Sequence, residues 1–350
     1  MAKEPPIRVQ PDKLRTLVRD IFAAAGTPAE EAGTVAEALV WANLRGIDSH
    51  GVSRVPRYLE LFDSGESKAA AKLRLSRPKP GVILIDADGA PGPVALSRAM
   101  HEAMAAARET GIAWAGVRGT VHTGAIGYYT SLALSGGMVG IGLVAGIPNM
   151  AYHGARGAAL ATSPISIAIP AERHPPLVLD MATAVMALGR MQQYKAQGKQ
   201  LPDGAAMSAD GDVTTDPTRA VTPMPLGGPK GAGLSLAFEL LTSGLMSNPI
   251  ITAFHQKTPE GRKHKQNASL IAVDISAFTD PAAFRRTVDE TLDTIKNLPR
   301  LSAEEEILIP GERGARTYAK RMADGISVSA DVWNSLKKAA EKYGLSAPSP

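Results

Sequence analysis

Two amphipathic helical stretches are expected before the first strand of this chain, with short apolar strands then alternating with helices to the C-terminus. Residues 12–25 space Leu14, Leu17, Val18, Ile21 and Phe22 along one helical face and stop at Gly26. Thr27-Pro28-Ala29-Glu30 reads as a capping box with proline in the first turn, opening a helix through Val35, Leu39 and Val40 to Leu44, closed by Gly46. A short third helix follows over 55–62. Strands are expected at 81–87, 112–117, 138–145, 163–169, 177–179, 269–273 and 307–309. Further helices are expected at 94–110, 128–134, 184–197, 231–246, 281–298, 313–323 and 329–343. Residues 66–80 read as a linker and 205–222 as a long surface excursion. Because several connections look too brief for parallel crossovers, the expected class is α/β with a mixed central sheet, not a regular doubly wound one. The helical first 80 residues and the last 30 or so are expected to pack together around that sheet.

A chain of 350 residues exceeds one comfortable core, so two or three lobes are expected. Scattered Lys and Arg give a net charge of only +4, which suits small anions and not nucleic acid. The basic run Gly261-Arg262-Lys263-His264-Lys265 lacks interleaved aromatics and reads as a solvated loop. Without cysteine there is no disulfide and no thiolate chemistry. Met1-Ala2-Lys3-Glu4-Pro5-Pro6 has no apolar signal core, and the longest apolar run, 138–147, is too short to span a bilayer, so a cytoplasmic protein is expected.

The chemistry concentrates at Arg45-Gly46-Ile47-Asp48-Ser49-His50-Gly51-Val52-Ser53-Arg54. Asp48-Ser49-His50 is not a hydrolase triad, because adjacent side chains diverge while a serine base must point at its own hydroxyl. Ser49 can instead orient His50 for proton transfer, or Asp48 and Ser49 can simply cap the next helix. Arg54 adds a fork-shaped cation suited to a carboxylate. His122-Thr123-Gly124-Ala125-Ile126-Gly127 joins a strand to a helix with small residues that admit an anion, or merely turn tightly. Asp180 ends a strand ahead of Met181 and Ala182, as a ligand-binding acid or a cap. Gly227-Gly228-Pro229-Lys230-Gly231-Ala232-Gly233 opens a helix as an anion cradle would. Pro310-Gly311-Glu312-Arg313 is a second possible phosphate turn. Asn149, His153 and Thr162 lie in a long polar loop. No Gly-x-Gly-x-x-Gly follows a strand, no P-loop or Gly-x-Ser-x-Gly is present, and no cluster has metal-ligand spacing; Gly140, Gly142 and Ala145 lie inside a strand and open no helix.

Five of these motifs in this order resemble the type-2 malate/L-lactate dehydrogenase family: Arg-Gly-Ile-Asp-Ser-His-Gly, Val-His-Thr-Gly-Ala-Ile-Gly, Leu-Asp-Met-Ala-Thr, Gly-Gly-Pro-Lys-Gly-Ala-Gly and Ile-Pro-Gly-Glu-Arg. The family also holds ureidoglycolate and sulfolactate dehydrogenases, diketogulonate reductase and the cyclic imino acid reductases acting on Δ1-piperideine-2-carboxylate or Δ1-pyrroline-2-carboxylate. The resemblance implies a non-Rossmann fold binding NAD or NADP, and hydride transfer at C2 of a small 2-oxo or 2-hydroxy acid. Residues 1–80 would be a helical lobe carrying the acid-base residues, 81–310 the cofactor-binding α/β domain, and 311–350 helices packing back on the first lobe. His50 would donate the proton, oriented by Ser49, or His122 would. Arg54 and Thr162 would bind substrate. His122, Thr123, Gly124, Ala125, Ile126, Asp180, Met181, Ala182, Lys230, Gly231, Gly311, Glu312 and Arg313 would hold the dinucleotide. No metal, nucleic acid or membrane is implied, and a homodimer is. Many relatives have His where Pro229 stands, and Thr-Asn-Pro where Thr162-Ser163-Pro164 stands. A cyclic imino acid reductase and a cofactor-binding protein without turnover are the alternatives, with a serine hydrolase a distant third.

Overall fold

Strand β1 (Ile7–Val9) leads into helices α1 (Pro11–Ala24) and α2 (Ala29–Leu44) in the computed structural model, which describes residues 6–349 other than Glu260 and Arg262. A strand therefore precedes the two helices, contrary to expectation, because residues 326–328 near the other end of the chain offer it a partner. The five apolar residues read from α1 are all buried, as their spacing requires. Two successive 3-10 turns, Asp48–His50 and Val52–Arg54, connect α2 to α3 (Val55–Asp63). The capping box does not form: Pro28 is the N-cap, and the Thr27 hydroxyl turns inward and is buried without a partner.

Then follow β2 (Arg74–Lys79), β3 (Val82–Asp86), α4 (Gly92–Thr110), β4 (Ile112–Thr120), α5 (Ile126–Ser135), β5 (Met138–Gly146), β6 (Ile165–Ile169) and β7 (Leu177–Met181). Next come α6 (Leu188–Gln197), β8 (Ala206–Ser208), β9 (Val213–Thr214), β10 (Ala220–Pro223), α7 (Pro229–Glu239), a π-helical turn (Leu240–Gly244) and α8 (Ile251–His255). The chain closes with β11 (Gln266–Asp274), α9 (Pro281–Lys296), α10 (Glu312–Asp324), β12 (Ile326–Val328) and α11 (Ala330–Lys342).

Seven strands form the central sheet in the order β2-β3-β4-β11-β5-β6-β7. The sheet is mixed, as expected. Strands β3 and β4 pair in parallel, and β4 and β5 are both antiparallel to β11, so β3, β4 and β5 run the same way. Helices α4 and α5 therefore do serve as crossovers, contrary to the expectation from connection length. The β4–α5–β5 passage skips one place, and β11 fills it from more than a hundred residues away. Gly140 and Gly142 explain themselves here: a Cβ on Gly140 would lie 2.3 Å from the Thr130 carbonyl of α5, and one on Gly142 2.9 Å from Ile126. They let α5 sit down on β5, which fixes where its N-terminal loop, 122–125, is held.

Other expectations also change. Part of the 66–80 linker is β2, a wholly exposed edge strand whose Arg74, Arg77, Pro78 and Lys79 discourage further pairing. The 205–222 excursion folds into its own three-stranded sheet, β10-β8-β9. Residues 307–309 are not a strand, because side chains take their backbone groups: Lys296 donates to the Ile307 carbonyl and Ile309 N–H donates to Glu312. The two chain ends meet where β1 pairs antiparallel with β12, and α11 packs on α1 and α3. One continuous apolar cluster runs from α1 and α2 through α4 and the sheet to α11. Among the described residues no helix is long and apolar enough to cross a membrane.

Candidate active site

The corner after α2 is built around Asn43, whose side chain organises both 3-10 turns. Its Oδ1 accepts the Val52 N–H at 2.8 Å and its Nδ2 donates to Asp48 Oδ1 at 2.6 Å. Gly51 has to be glycine, since a Cβ there would lie 2.0 Å from Asn43 Oδ1. Asp48 is also paired with Arg321 of α10 at 2.6 Å, so its carboxylate braces the corner and does not face His50. Ser49 Oγ lies 2.9 Å from His50 Nδ1. Arg54 spends its Nε on the Ser49 carbonyl at 2.6 Å, and its terminal nitrogens have no carboxylate partner among the described residues.

His122 comes to this corner from the β4–α5 loop. Its ring stacks on His50 with centres 5.7 Å apart and planes 24° from parallel. Gly124 N–H donates to His122 Nδ1 at 3.3 Å, so the neutral ring carries its proton on Nε2. The Tyr58 hydroxyl lies 3.0 Å from both that Nδ1 and the His122 carbonyl. Gly92 at the start of α4 allows the loop to lie this close, because a Cβ there would meet Thr123 Cα at 2.4 Å. Burial, then the nearby Arg54 charge, brings His50 down to about 4. Burial and the cations around it hold His122 well below the usual imidazole range, while burial pushes the Tyr58 phenol up. Both imidazoles are therefore neutral near pH 7.

A second pocket of about 240 Å³ adjoins this pair, lined by Asn149, Thr162, His264 and Gln266 among others. Thr162 N–H donates to Asn149 Oδ1 at 2.9 Å, and Thr123 N–H donates to Gln266 Oε1 at 2.9 Å, which ties the His122 loop to β11. His264 corrects the reading of 261–265 as a solvated loop: its ring is half-buried with its centre 6.5 Å from that of His122. Arg262 of that run lies outside the described residues. His153, from the same polar loop as Thr162, is exposed.

On the other side of the corner a cleft of about 730 Å³ is lined by Trp41, Arg45, Asp180, Arg190, Gly311, Arg313 and Arg321, among others. Asp180 lies within β7, accepts the Gly127 N–H at 2.8 Å, and is pushed by burial up to about 6. Arg45 lies over Trp41 and donates to the Gly311 carbonyl at 2.9 Å, joining α2 to the start of α10. Arg190 and Arg313 have no carboxylate partner among the described residues. Gly311 is required at positive φ, and a Cβ there would come within 2.8 Å of the Val178 nitrogen.

These features fit a dinucleotide. The guanidinium groups of Arg190 and Arg313 and the N-terminus of α10 suit phosphates, and Asp180 lines the same cleft. Beyond Asp180 the chain runs through Met181 and Ala182 to Thr183, which donates to the Thr162 carbonyl at 2.9 Å. Gly231 belongs to the same path: it is packed against the Thr183 carbonyl, 2.4 Å from where a Cβ would be, with Lys230 exposed beside it. The Glu312 carboxylate is committed elsewhere, to Lys296 at 2.7 Å and to Arg316. Among the described residues no group of three or more His, Asp or Glu could hold a metal.

Sequence reading gave no role to Tyr58, Arg190, Gln266 and His264, and named Arg45 only as the start of the Arg45–Arg54 stretch. Tyr58 stands one turn beyond Arg54, a spacing that could have flagged it. Arg190, Gln266 and His264 carry no local signal.

The family model for malate/L-lactate dehydrogenase matches residues 9–337. Malate dehydrogenase of Pyrococcus horikoshii is 34% identical over 349 residues, covering 97% of this chain and 96% of its own. The Δ1-pyrroline-2-carboxylate/Δ1-piperideine-2-carboxylate reductase of Pseudomonas putida is 30% identical, covering 95% of this chain and 96% of its own. Sulfolactate dehydrogenase from Methanocaldococcus jannaschii has the same fold at a TM-score of 0.89, with 33% identity over 97% of this chain and 98% of that one.

Proposed function

The chain belongs to the malate/L-lactate dehydrogenase family and is an NAD(P)-dependent oxidoreductase, and from that premise we propose how its residues divide the work. The observation that carries the reading is the stack of two neutral, half-buried imidazoles beside a guanidinium whose terminal nitrogens have no carboxylate partner among the described residues. The reaction is reversible reduction of a small 2-oxo acid to the 2-hydroxy acid, and the nicotinamide, when bound, supplies or accepts hydride at C2. Arg54 grips the substrate carboxylate through its two terminal nitrogens and fixes C2 beside the imidazoles. One histidine holds the proton exchanged with the C2 oxygen, His50 with its Nδ1 set by Ser49, or His122 with its Nδ1 set by Gly124. A neutral imidazole is ready to take a proton in the hydroxy-acid direction. For reduction it has to be charged first, and the arriving carboxylate favours that.

Cofactor contacts fall to the 122–126 loop, to Asp180, Met181 and Ala182, to Lys230 and Gly231, and to Gly311 and Arg313. Arg45 and Arg190 are added from the lining of the cleft. Glu312 acts through its backbone and by holding Lys296 and Arg316. Residues 1–80 and 311–350 act as a lobe that closes over a non-Rossmann sheet domain, 81–310. A second copy of the chain covers the leucines along α7, the π turn and the residue that follows it, of which Leu240 and Leu245 are each 60% exposed, giving a homodimer in the cytoplasm.

Reduction of pyruvate, oxaloacetate and Δ1-piperideine-2-carboxylate by NADH and NADPH tests the reading, with His50→Ala and His122→Ala assayed beside wild type. At least one variant should lose about 10²–10⁴-fold in maximal rate. If both kept the wild-type rate, the proton assignment would be wrong. Cyclic imine turnover with no 2-oxo acid turnover would favour the reductase alternative.

A further inference from the structure

Helix α6 and the small sheet β10-β8-β9 form a unit with its own apolar core, built from Met186, Met191, Leu201, Ala205 and Ala206. The chain enters and leaves this unit side by side, where Val185 N–H donates to the Met224 carbonyl at 2.9 Å and Leu226 N–H to the Thr183 carbonyl at 2.8 Å. From there the first turn of α6 reaches the acid site. A Cβ on Gly189 would lie 3.7 Å from Ser49 Cβ and 4.0 Å from Arg54 Nη2, and the next residue, Arg190, lines the cofactor cleft. Neither reason that explains the other glycines of the site applies to Gly189. Gly51 and Gly92 have no room for a side chain, and Gly311 stands at positive φ. Gly189 is helical, its φ is not positive, and its two nearest neighbours stand at ordinary van der Waals distance, with no third atom beyond its own chain surroundings within 4 Å among the described residues. Backbone and protein packing would both accept alanine, which a helix prefers to glycine. A side chain there would occupy the space in front of Ser49 and Arg54, where the acid is gripped.

We propose that Gly189 is a specificity-determining residue: its missing side chain leaves room beside Arg54 for the part of the acid beyond C2, and so sets the longest 2-oxo acid the site admits. The α6 unit is then one wall of the acid site, and the site takes 2-oxo acids whose carbon chain extends past that of pyruvate. The inference rests on the 2-oxo acid reading of the site.

The test is steady-state reduction of glyoxylate, pyruvate, 2-oxobutyrate and 2-oxopentanoate by wild type, Gly189→Ala, Gly189→Val and Gly33→Ala, with NADH and NADPH affinities measured by fluorescence titration. Gly33 lies in α2 with nothing within 4 Å of its Cβ position, so its alanine variant reports the effect of helix preference alone. Wild type should reduce 2-oxobutyrate and 2-oxopentanoate within about tenfold of pyruvate in kcat/KM. Gly189→Ala should lower the ratio of kcat/KM for 2-oxopentanoate to that for glyoxylate by about tenfold, mainly through KM, and Gly189→Val should lower it further. Cofactor affinity should stay within about twofold in Gly189→Ala, and Gly33→Ala should leave the ratio at its wild-type value. A loss uniform along the series, an unchanged ratio in both Gly189 variants, a matching change in Gly33→Ala, or cofactor binding weakened as much as kcat/KM would overturn the proposal. So would a wild type that reduces pyruvate and rejects the longer acids, which would leave the 2-oxo acid reading standing. If wild type bound cofactor and reduced none of the four acids, that reading would fall as well.

Discussion

Asp180→Asn should make the protein more stable and a poorer binder of its cofactor. The Asp180 carboxyl is pushed up to about 6 from an ordinary 3.8, chiefly by burial and against the opposing pull of the Gly127 N–H and Arg45. At about 1.4 kcal/mol per tenfold change in proton affinity, the folded protein favours the neutral form by about 3 kcal/mol. The sign follows from linkage: a raised folded pKa adds stability that is complete below about pH 3.8 and lost as the pH rises through about 6. At pH 7 the ionised carboxylate therefore costs the folded state about 3 kcal/mol against a neutral isostere, an upper bound because the residue borders an open cleft. Asparagine keeps an oxygen for the Gly127 N–H, now 2.8 Å away, and gives up the attraction of Arg45. Urea unfolding should show the variant more stable by about 1–3 kcal/mol near pH 7, with the gain vanishing near pH 4. NADH or NADPH titrations should show weaker binding. A variant less stable at pH 7, or a difference independent of pH, would refute the picture of a carboxylate held ionised for its ligand.

Arg54→Ala should raise KM for the acid substrate about 10²-fold with a smaller change in kcat, and an unchanged KM would remove its carboxylate role. With His50 held at about 4, kcat/KM for hydroxy-acid oxidation, measured at saturating cofactor so that Asp180 does not enter, should be level from about pH 5 to 8 and fall as the pH drops through about 4; a break near 6.5 would mean that an ordinary, solvated imidazole is the base. Leu240→Glu with Leu245→Glu should convert a dimer to monomers by light scattering, and a wild-type monomer would show that the leucine face has no partner.

Much of the fold was legible wherever one element carried its own signal. Helices α1, α2 and α4 announce themselves by periodic apolar residues and terminal glycines, and the sheet strands by apolar runs between turns. Elements fail to be legible when a partner distant in sequence makes them. Strand β2 exists because β3 offers an edge, and at Thr27 the capping box gives way to Pro28 as N-cap even though the hydroxyl is left buried without a partner. In the site, Ser49, His50 and Arg54 stand close together in sequence and could be read there.

Residue chemistry by itself determined which groups could move a proton, grip a carboxylate or admit a phosphate, since that is set by side-chain type and local backbone. Tertiary structure decided which of them meet and in what state of charge. It stacks His50 on His122 across 72 positions, sets His264 beside them from just before β11, and turns Asp48 and Glu312 into braces by giving them Arg321 and Lys296. It also buries Asp180 and the histidines, and desolvation depends on everything that surrounds a group, so no neighbouring residue in the chain announces it.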